Sequence, residues 1–203
     1  MSETLYKVLD ADGQAFHGGH GAWSLPHDGD PGDWMPPIAD IKLCKRGYHL
    51  CRPDDLVRWL GPIICVAEYR GKRVDGDDKI VVAEARLLRQ CVGWNERTVR
   101  LFACDCAEHV LPLFERWWPN DTRPRNCILL ARRYADGQTT RQELAAAWAA
   151  AGDAARAAAW AAAGDAARAA ARAAAGDAAR AAAGDAELEW QTTTLLQYVE
   201  GTP

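Results

Sequence analysis

The chain has 203 residues, which is long enough for one large domain or two small ones. Its 24 basic and 28 acidic residues give a formal net charge of −4, which argues against a protein that binds nucleic acid or a membrane surface through excess positive charge. The hydrophobic fraction of 49% overstates the core, because 28 of the 42 residues from Ala145 to Ala186 are alanine. Large core side chains must therefore come from residues 1–143 and the C-terminal turns.

The N-terminus and the cysteines indicate the compartment. Met1–Asp10 contains no apolar run of the kind that a secretory signal needs. The seven cysteines are an odd number, which is typical of reduced thiols. Asp and Arg recur along the alanine-rich tract, and each such charge at a bilayer centre costs about 2.5–3.5 kcal/mol. We therefore expect a cytoplasmic protein without disulfides or membrane spans.

Residues 1–92 are predicted to form a small α+β domain with a mostly antiparallel sheet. A short helix is expected at Pro53–Gly61, which has a proline at the first helical position, two acids in the first turn and a terminal glycine. A loop is expected over Pro26–Pro37. Alternating or β-rich runs predict strands at residues 5–9, 14–17, 22–25, 38–44, 62–69 and 79–88.

Residues 93–203 are predicted to form an all-α domain. The first helix is expected from Asn95 to Trp118, the second from Pro124 to Tyr134. A third begins at Thr140, because Thr140 and Glu143 have the spacing of a capping box. The apolar positions that predict the first helix are Val99, Cys106, Val110, Leu113 and Phe114.

A twelve-residue repeat occupies about residues 152–187, and its units start at Gly152, Gly164 and Gly176. Twelve residues turn a straight helix by 1200°, or 120° beyond whole turns, so one long helix would keep no constant face. Alternatively, each glycine ends a short helix and the following aspartate caps the next. We expect short stacked helices of about ten residues, against the alternative of one long helix.

Two segments resemble known families. The run from Phe102 to Glu115, the segment Pro119–Arg125 and the downstream alanine repeats resemble the Imm5-like immunity proteins, helical partners in bacterial toxin systems. The sequence Cys44-Lys45-Arg46-Gly47-Tyr48-His49-Leu50-Cys51 is similar to an uncharacterised small domain of phage and actinobacterial genomes. The first resemblance implies a protein partner, and neither implies an established chemistry.

Cys44, His49 and Cys51 form the candidate metal site, because they lie within eight residues of one another. Structural zinc sites usually pair cysteines two to four residues apart, and Cys44 and Cys51 are farther apart than that. Small buried thiols beside a turn are the favoured interpretation. We expect no metal and no cofactor.

His17, Tyr48 and Glu68 form a candidate catalytic set. Their order is weakly similar to the His-Tyr-Glu pattern of ADP-ribosyltransferase-like folds, in which histidine and tyrosine hold NAD and glutamate supports the positive charge that develops on the ribose. Tyr48 could equally be a core aromatic residue, and Glu68 the solvent side of an alternating strand. We expect no catalytic residues, with this set as the alternative.

Two groups of residues are candidates for binding. The loop region from His17 to Pro37 combines flexible glycines with His17, His20, Trp23 and Trp34, although an ordered loop held by its tryptophans is the favoured interpretation. The second group is Trp117 and Trp118, since exposed aromatic side chains commonly anchor interfaces.

Together these features predict a non-enzymatic binding protein of bacterial or phage conflict that neutralises a protein toxin by occlusion. The first alternative is sequestration of a small nucleotide ligand that acts as an immune signal. The second is an ADP-ribosyltransferase-like enzyme. Neither nucleic acid nor a membrane is an expected partner, and the sequence leaves the oligomeric state open.

Overall fold

The computed structural model describes residues 3–17, 19–154 and 176–201, with residues 176–183 described by their backbone alone. The chain divides into two compact units. The sheet unit comprises Met1–Asn95 and Leu188–Pro203, and the helical unit comprises Glu96–Glu187. The predicted α+β class is confirmed, since a small antiparallel sheet in the N-terminal part is followed by helices.

The sheet has four antiparallel strands in the order β1-β3-β4-β2. The strand predictions for residues 5–9, 62–69 and 79–88 are confirmed, although β3 runs six residues farther than predicted. A 3₁₀ helix at Pro53–Trp59 confirms the predicted helix in a tighter form. The strands are β1 at Leu5–Leu9, β2 at Tyr48–Leu50, β3 at Ile63–Asp75 and β4 at Ile80–Gln90.

Backbone hydrogen bonds also link β1 to the residue after β2, the two outer strands of the sheet. Tyr6 in β1 and Cys51, directly after β2, each donate a backbone N–H to the other's carbonyl oxygen at 2.8 Å. β2 pairs only with the first residues of β4. The rest of this edge of β4 is covered by an irregular segment, in which the amides of Gly32, Met35 and Ile38 donate to carbonyls of β4. The loop before residue 38 is therefore bonded to the sheet edge, which leaves few unpaired backbone groups there.

Three predicted strands are wrong. Residues 38–44 end in a tight turn closed by the amides of Lys45 and Arg46, which donate to the carbonyl of Lys42. Cys44 has φ 59° and Gly47 has φ 123°, which strand geometry does not allow. A Cβ on Gly47 would also lie 2.4 Å from a methyl carbon of Val81, so only glycine fits there. Residues 14–17 and 22–25 contribute isolated bridges in place of strands.

The C-terminal segment belongs to the sheet unit. Leu195 and Val199 are fully buried, with exposed fractions of 0% and 1%. A Cβ built on Gly93 would lie 2.4 Å from the carbonyl oxygen of Tyr198, which shows how closely the segment approaches the end of the sheet.

Four helices follow the sheet within the described ranges, and the three predicted helices up to residue 154 are confirmed. The capping box is present at the third helix: the Glu143 amide donates to the Thr140 hydroxyl oxygen at 3.2 Å, and the Thr140 amide donates to the Glu143 carboxylate at 2.8 Å. These bonds satisfy amides that a helix start leaves unpaired. The helices are α1 at Glu96–Glu115, α2 at Arg123–Ala135, α3 at 141–154, where the described stretch ends, and α4 at Gly176–Glu200.

The described ends of the alanine-rich tract are helical through their glycines. α3 continues past Gly152, and α4 continues past Gly184 and Asp185. The expectation that a glycine ends a helix is wrong at these two positions, and the stacking predicted for residues 155–175 lies outside the described residues. Within the described ranges, no helix is both long enough and apolar enough to cross a membrane.

Candidate functional site

Ion pairs join α1 and α2 into a hairpin. The pairing order is antiparallel, because the end of α1 meets the start of α2 and the start of α1 meets the residue after α2. Such pairs are worth little singly when exposed, but several together define how two helices align. The pairs are Arg97 with Asp136, Arg132 with Asp105 and Glu108, and Arg125 with Glu115, at 2.5–2.7 Å.

A short apolar stripe at the end of α1 is exposed to solvent. We define the α1 stripe as Val110 and Leu113, which are three residues apart on one side of α1, together with Trp117 in the turn that directly follows the helix. Their exposed fractions are 40%, 69% and 72%. A stripe of this spacing ordinarily faces a core. Here the buried Cys104 and Leu111 lie on another side of the helix, and the buried Phe102 lies on the side of Leu113 but three turns nearer the helix start.

The two neighbouring tryptophans predicted as binding residues differ in their surroundings. Trp118 is half-buried and stacks on Phe114, with ring centroids 5.2 Å apart and ring planes at 30°. Trp117 remains exposed. The stacked pair fixes the backbone at the end of α1, and it thereby holds Trp117 at the tip of the hairpin.

His17 and His20 lie on the surface of the sheet unit. The Nε2 atom of His17 is 3.1 Å and 3.2 Å from the carbonyl oxygens of Trp59 and Leu60, and its ring meets the Trp59 ring edge-on at 5.3 Å. Since carbonyl oxygens only accept, Nε2 must carry a proton in this arrangement. His17 therefore ties its segment to the end of the 3₁₀ helix.

The two tryptophans of the loop contact different parts of the sheet unit. Trp23 is buried, with an exposed fraction of 7%, and meets the ring of Tyr48 edge-on at 5.5 Å. Trp34 lies beneath two guanidinium groups, at 4.2 Å from Arg70 and 4.8 Å from Arg86. Both rings thus pack on the sheet, in line with an ordered loop held by its tryptophans.

The candidate catalytic set of His17, Tyr48 and Glu68 is not joined by any contact found among the described residues. The Tyr48 hydroxyl donates to the Pro36 carbonyl at 2.7 Å, and burial raises the pKa of this hydroxyl. Glu68 accepts a hydrogen bond from Arg86. Each of the three side chains thus has its own local partner.

Cys44 and His49 are linked through the backbone. The Cys44 amide donates to His49 Nε2 at 3.0 Å, so this nitrogen uses its lone pair as a hydrogen-bond acceptor. Cys51 is buried, and burial raises the pKa of its thiol to about 12, while Cys44 is exposed. Among the residues that the structure describes, no three or more His, Cys, Asp or Glu side chains are grouped so that they could hold a metal ion.

The thiols are expected to differ sharply in reactivity. Burial raises the pKa of six of the seven thiols, and it raises that of Cys106 to about 11. The seventh thiol, Cys44, is exposed. Because the thiolate is the reactive form, iodoacetamide at pH 7.5 should label Cys44 before any other cysteine, as read by peptide mass spectrometry. Cys44→Ser should leave the folded protein almost unlabelled. Rapid labelling of Cys65 or Cys91 before denaturation would contradict this.

Sequence reasoning missed Lys7, the buried lysine of β1. Its exposed fraction is 8%, and burial lowers its pKa to about 8. Its Nζ donates to the His49 carbonyl at 3.3 Å and lies 5.0 Å from the centre of the Trp23 ring. The available signal was its position between Leu5 and Leu9, since alternate residues of a strand share a face and both leucines belong to the core.

The helical part of the chain carries a similarity to a known family. Residues 90–181 match the family model described as Imm-5 like putative immunity protein. No curated protein and no solved structure matches the chain. The matched range begins at the last residue of β4 and includes α1, α2 and α3, so this part of the chain is similar to immunity proteins and indicates an immunity-type role.

Proposed function

We propose that the protein binds a protein toxin through the α1 stripe and neutralises it by covering a functional surface, without making or breaking a bond. One observation carries this proposal. In the described part of the chain nine large apolar side chains are exposed, and seven of them lie within the family-matched segment. The seven are Val92, Val99, Val110, Leu113, Trp117, Leu129 and Trp148.

The composition of the α1 stripe supports a protein partner. Tryptophan is the residue type most enriched at positions that dominate binding energy, and Trp117 is 72% exposed. Burying apolar surface stabilises a complex by about 25 cal/mol per Å² before the costs of association. Leu113 and Trp117 are the two most exposed members of the α1 stripe.

Two ion pairs hold the turn next to the α1 stripe in place, which favours binding with little rearrangement. Arg125 pairs with Glu115 at 2.7 Å, and Arg123 pairs with Asp121 at 2.6 Å, on either side of the turn that follows Trp117. These pairs neutralise four charges near the tip, so a partner can cover those four positions without burying a lone charge there. A tip ordered before binding also loses less conformational entropy on association.

The test is coexpression with the product of each neighbouring gene, followed by size-exclusion chromatography with mass determination and a growth assay. We expect one neighbour to be toxic alone and to form a complex of fixed stoichiometry with this protein. Leu113→Glu and Trp117→Ala should weaken that complex about 30-fold or more, which is the loss of about 2 kcal/mol typical of a dominant interface residue.

Matched controls separate this proposal from the alternatives. Leu25→Glu places the same charge on an exposed leucine of the sheet unit and should leave binding unchanged, as should His17→Ala and Glu68→Ala. Full binding by a Leu113→Glu, Trp117→Ala double variant would contradict the proposed interface. Release of an ultraviolet-absorbing molecule on denaturation would favour nucleotide sequestration, and NAD consumption lost in Glu68→Gln would favour a transferase.

A further inference from the structure

Cations that lie over aromatic rings are frequent among the described residues, and all but one of those found there also pair with an acid. The described residues contain six such cations, Lys7, Arg70, Arg73, Lys79, Arg86 and Arg100. Five have a carboxylate partner, namely Glu84 for Arg70, Glu3 and Asp75 for Arg73, Asp78 for Lys79, Glu68 for Arg86 and Glu96 for Arg100. Lys7 is the exception.

Lys7 is also the only one of the six that is buried, with an exposed fraction of 8%. Within the described residues its ammonium group has one hydrogen-bond acceptor, the His49 carbonyl, for three N–H donors. The titratable group whose charge would act on it is the thiol of Cys51, which stays neutral because burial raises its pKa to about 12. No protein anion therefore balances this buried cation in the part of the chain that the structure describes.

An uncompensated buried charge is costly, and an anion that reached it would gain strong, weakly screened attraction. We propose that Lys7 is the anion-binding group of a small-ligand site in the sheet unit, which takes a ligand bearing a carboxylate or phosphate group. The two N–H donors of Lys7 that lack an acceptor would bond to the ligand's oxyanion.

The groups beside the ammonium indicate the rest of the ligand. Trp23 supplies a ring 5.0 Å from Nζ, and Tyr48 meets Trp23 edge-on. A cation beside a tryptophan ring that packs on a second aromatic ring suits a ligand that joins an oxyanion to a flat or apolar body. Trp23 is itself buried, so its ring must shift for such a body to enter, and the small anions themselves are the direct probes of Lys7.

The experiment measures the melting temperature of the full chain in increasing sodium phosphate or sodium acetate, with sodium chloride keeping the ionic strength constant. We expect at least one anion to raise the Tm in a saturating manner, by about 3–6 °C at ten times its dissociation constant. A response to phosphate alone identifies a phosphate site, and a response to acetate alone identifies a carboxylate site.

Lys7→Met should abolish the response, and Lys7→Gln serves the same purpose if the methionine variant does not fold. Lys79→Met is the matched control, because Lys79 also lies over a tryptophan, Trp59 at 4.1 Å, but pairs with Asp78. It should respond like the unmodified protein. The proposal is overturned if neither anion raises the Tm of the unmodified protein, or if the neutral Lys7 variants respond equally.

Discussion

Lys7→Met is expected to make the folded protein more stable at pH 7, and the gain should shrink as the pH rises from 8 to above 10. The physical reason is that the fold holds this amine in an apolar core and lowers its pKa to about 8, whereas an unfolded chain leaves a lysine near about 10.4. Between these values the unfolded state binds more protons than the folded state, so raising the pH stabilises the unmodified protein.

The size of the effect follows from the two pKa values. Below pH 8 the folded protein bears the full cost of charging Lys7, which is about 3 kcal/mol when the pKa falls from about 10.4 to about 8. Methionine has a similar length and no charge, so it removes this cost and keeps most of the packing against Trp23. The variant also loses the hydrogen bond to the His49 carbonyl, worth about 1 kcal/mol, so a net gain of about 2 kcal/mol is expected.

Urea unfolding of both proteins at pH 7, 8.5 and 10 checks this prediction. The difference between the two proteins is the informative quantity, because the other titrating groups are common to both and largely cancel. Lys79→Met, which removes an amine paired with Asp78, should bring no gain at any pH. A Lys7→Met protein that is less stable than the parent at pH 7, or a difference that does not vary with pH, would show that the amine is not desolvated.

Leu195→Ala is expected to cost about 2–5 kcal/mol of unfolding free energy, the usual range for a buried leucine. Leu195 has an exposed fraction of 0%, and its segment Leu188–Pro203 belongs to the sheet unit. The truncation removes buried methyl groups and leaves a cavity among residues from distant parts of the chain. The loss should therefore appear in the unfolding of the sheet unit, although the substitution lies near the C-terminus.

Thermal and urea unfolding followed by circular dichroism measure this effect. Leu113→Ala is the matched control, because Leu113 is a leucine in a helix with 69% exposure and should change stability by no more than about 0.5 kcal/mol. Equal costs for the two substitutions, or a Leu195→Ala protein as stable as its parent, would refute the packing of the C-terminal segment on the sheet unit.

The predictions that succeeded rest on local rules. The limits of β1 and the helix starts follow from alternation, capping and proline position within a few residues, and the capping box of Thr140 and Glu143 is present as predicted. The strand predicted at residues 38–44 failed because a turn at Cys44 and a close approach of Gly47 to Val81 override the local pattern. β-propensity depends on what a segment packs against, so such failures are physical in origin.

Residue spacing along the chain was sufficient to predict the α+β class, the main helices and strands, and the resemblance of the helical part to immunity proteins. The three-dimensional fold was needed to show which side of α1 is exposed, where Leu188–Pro203 packs and that Lys7 is buried without an acid. Burial and charge pairing depend on residues far apart in sequence, and a periodic stripe has the same spacing whether it meets a core or solvent.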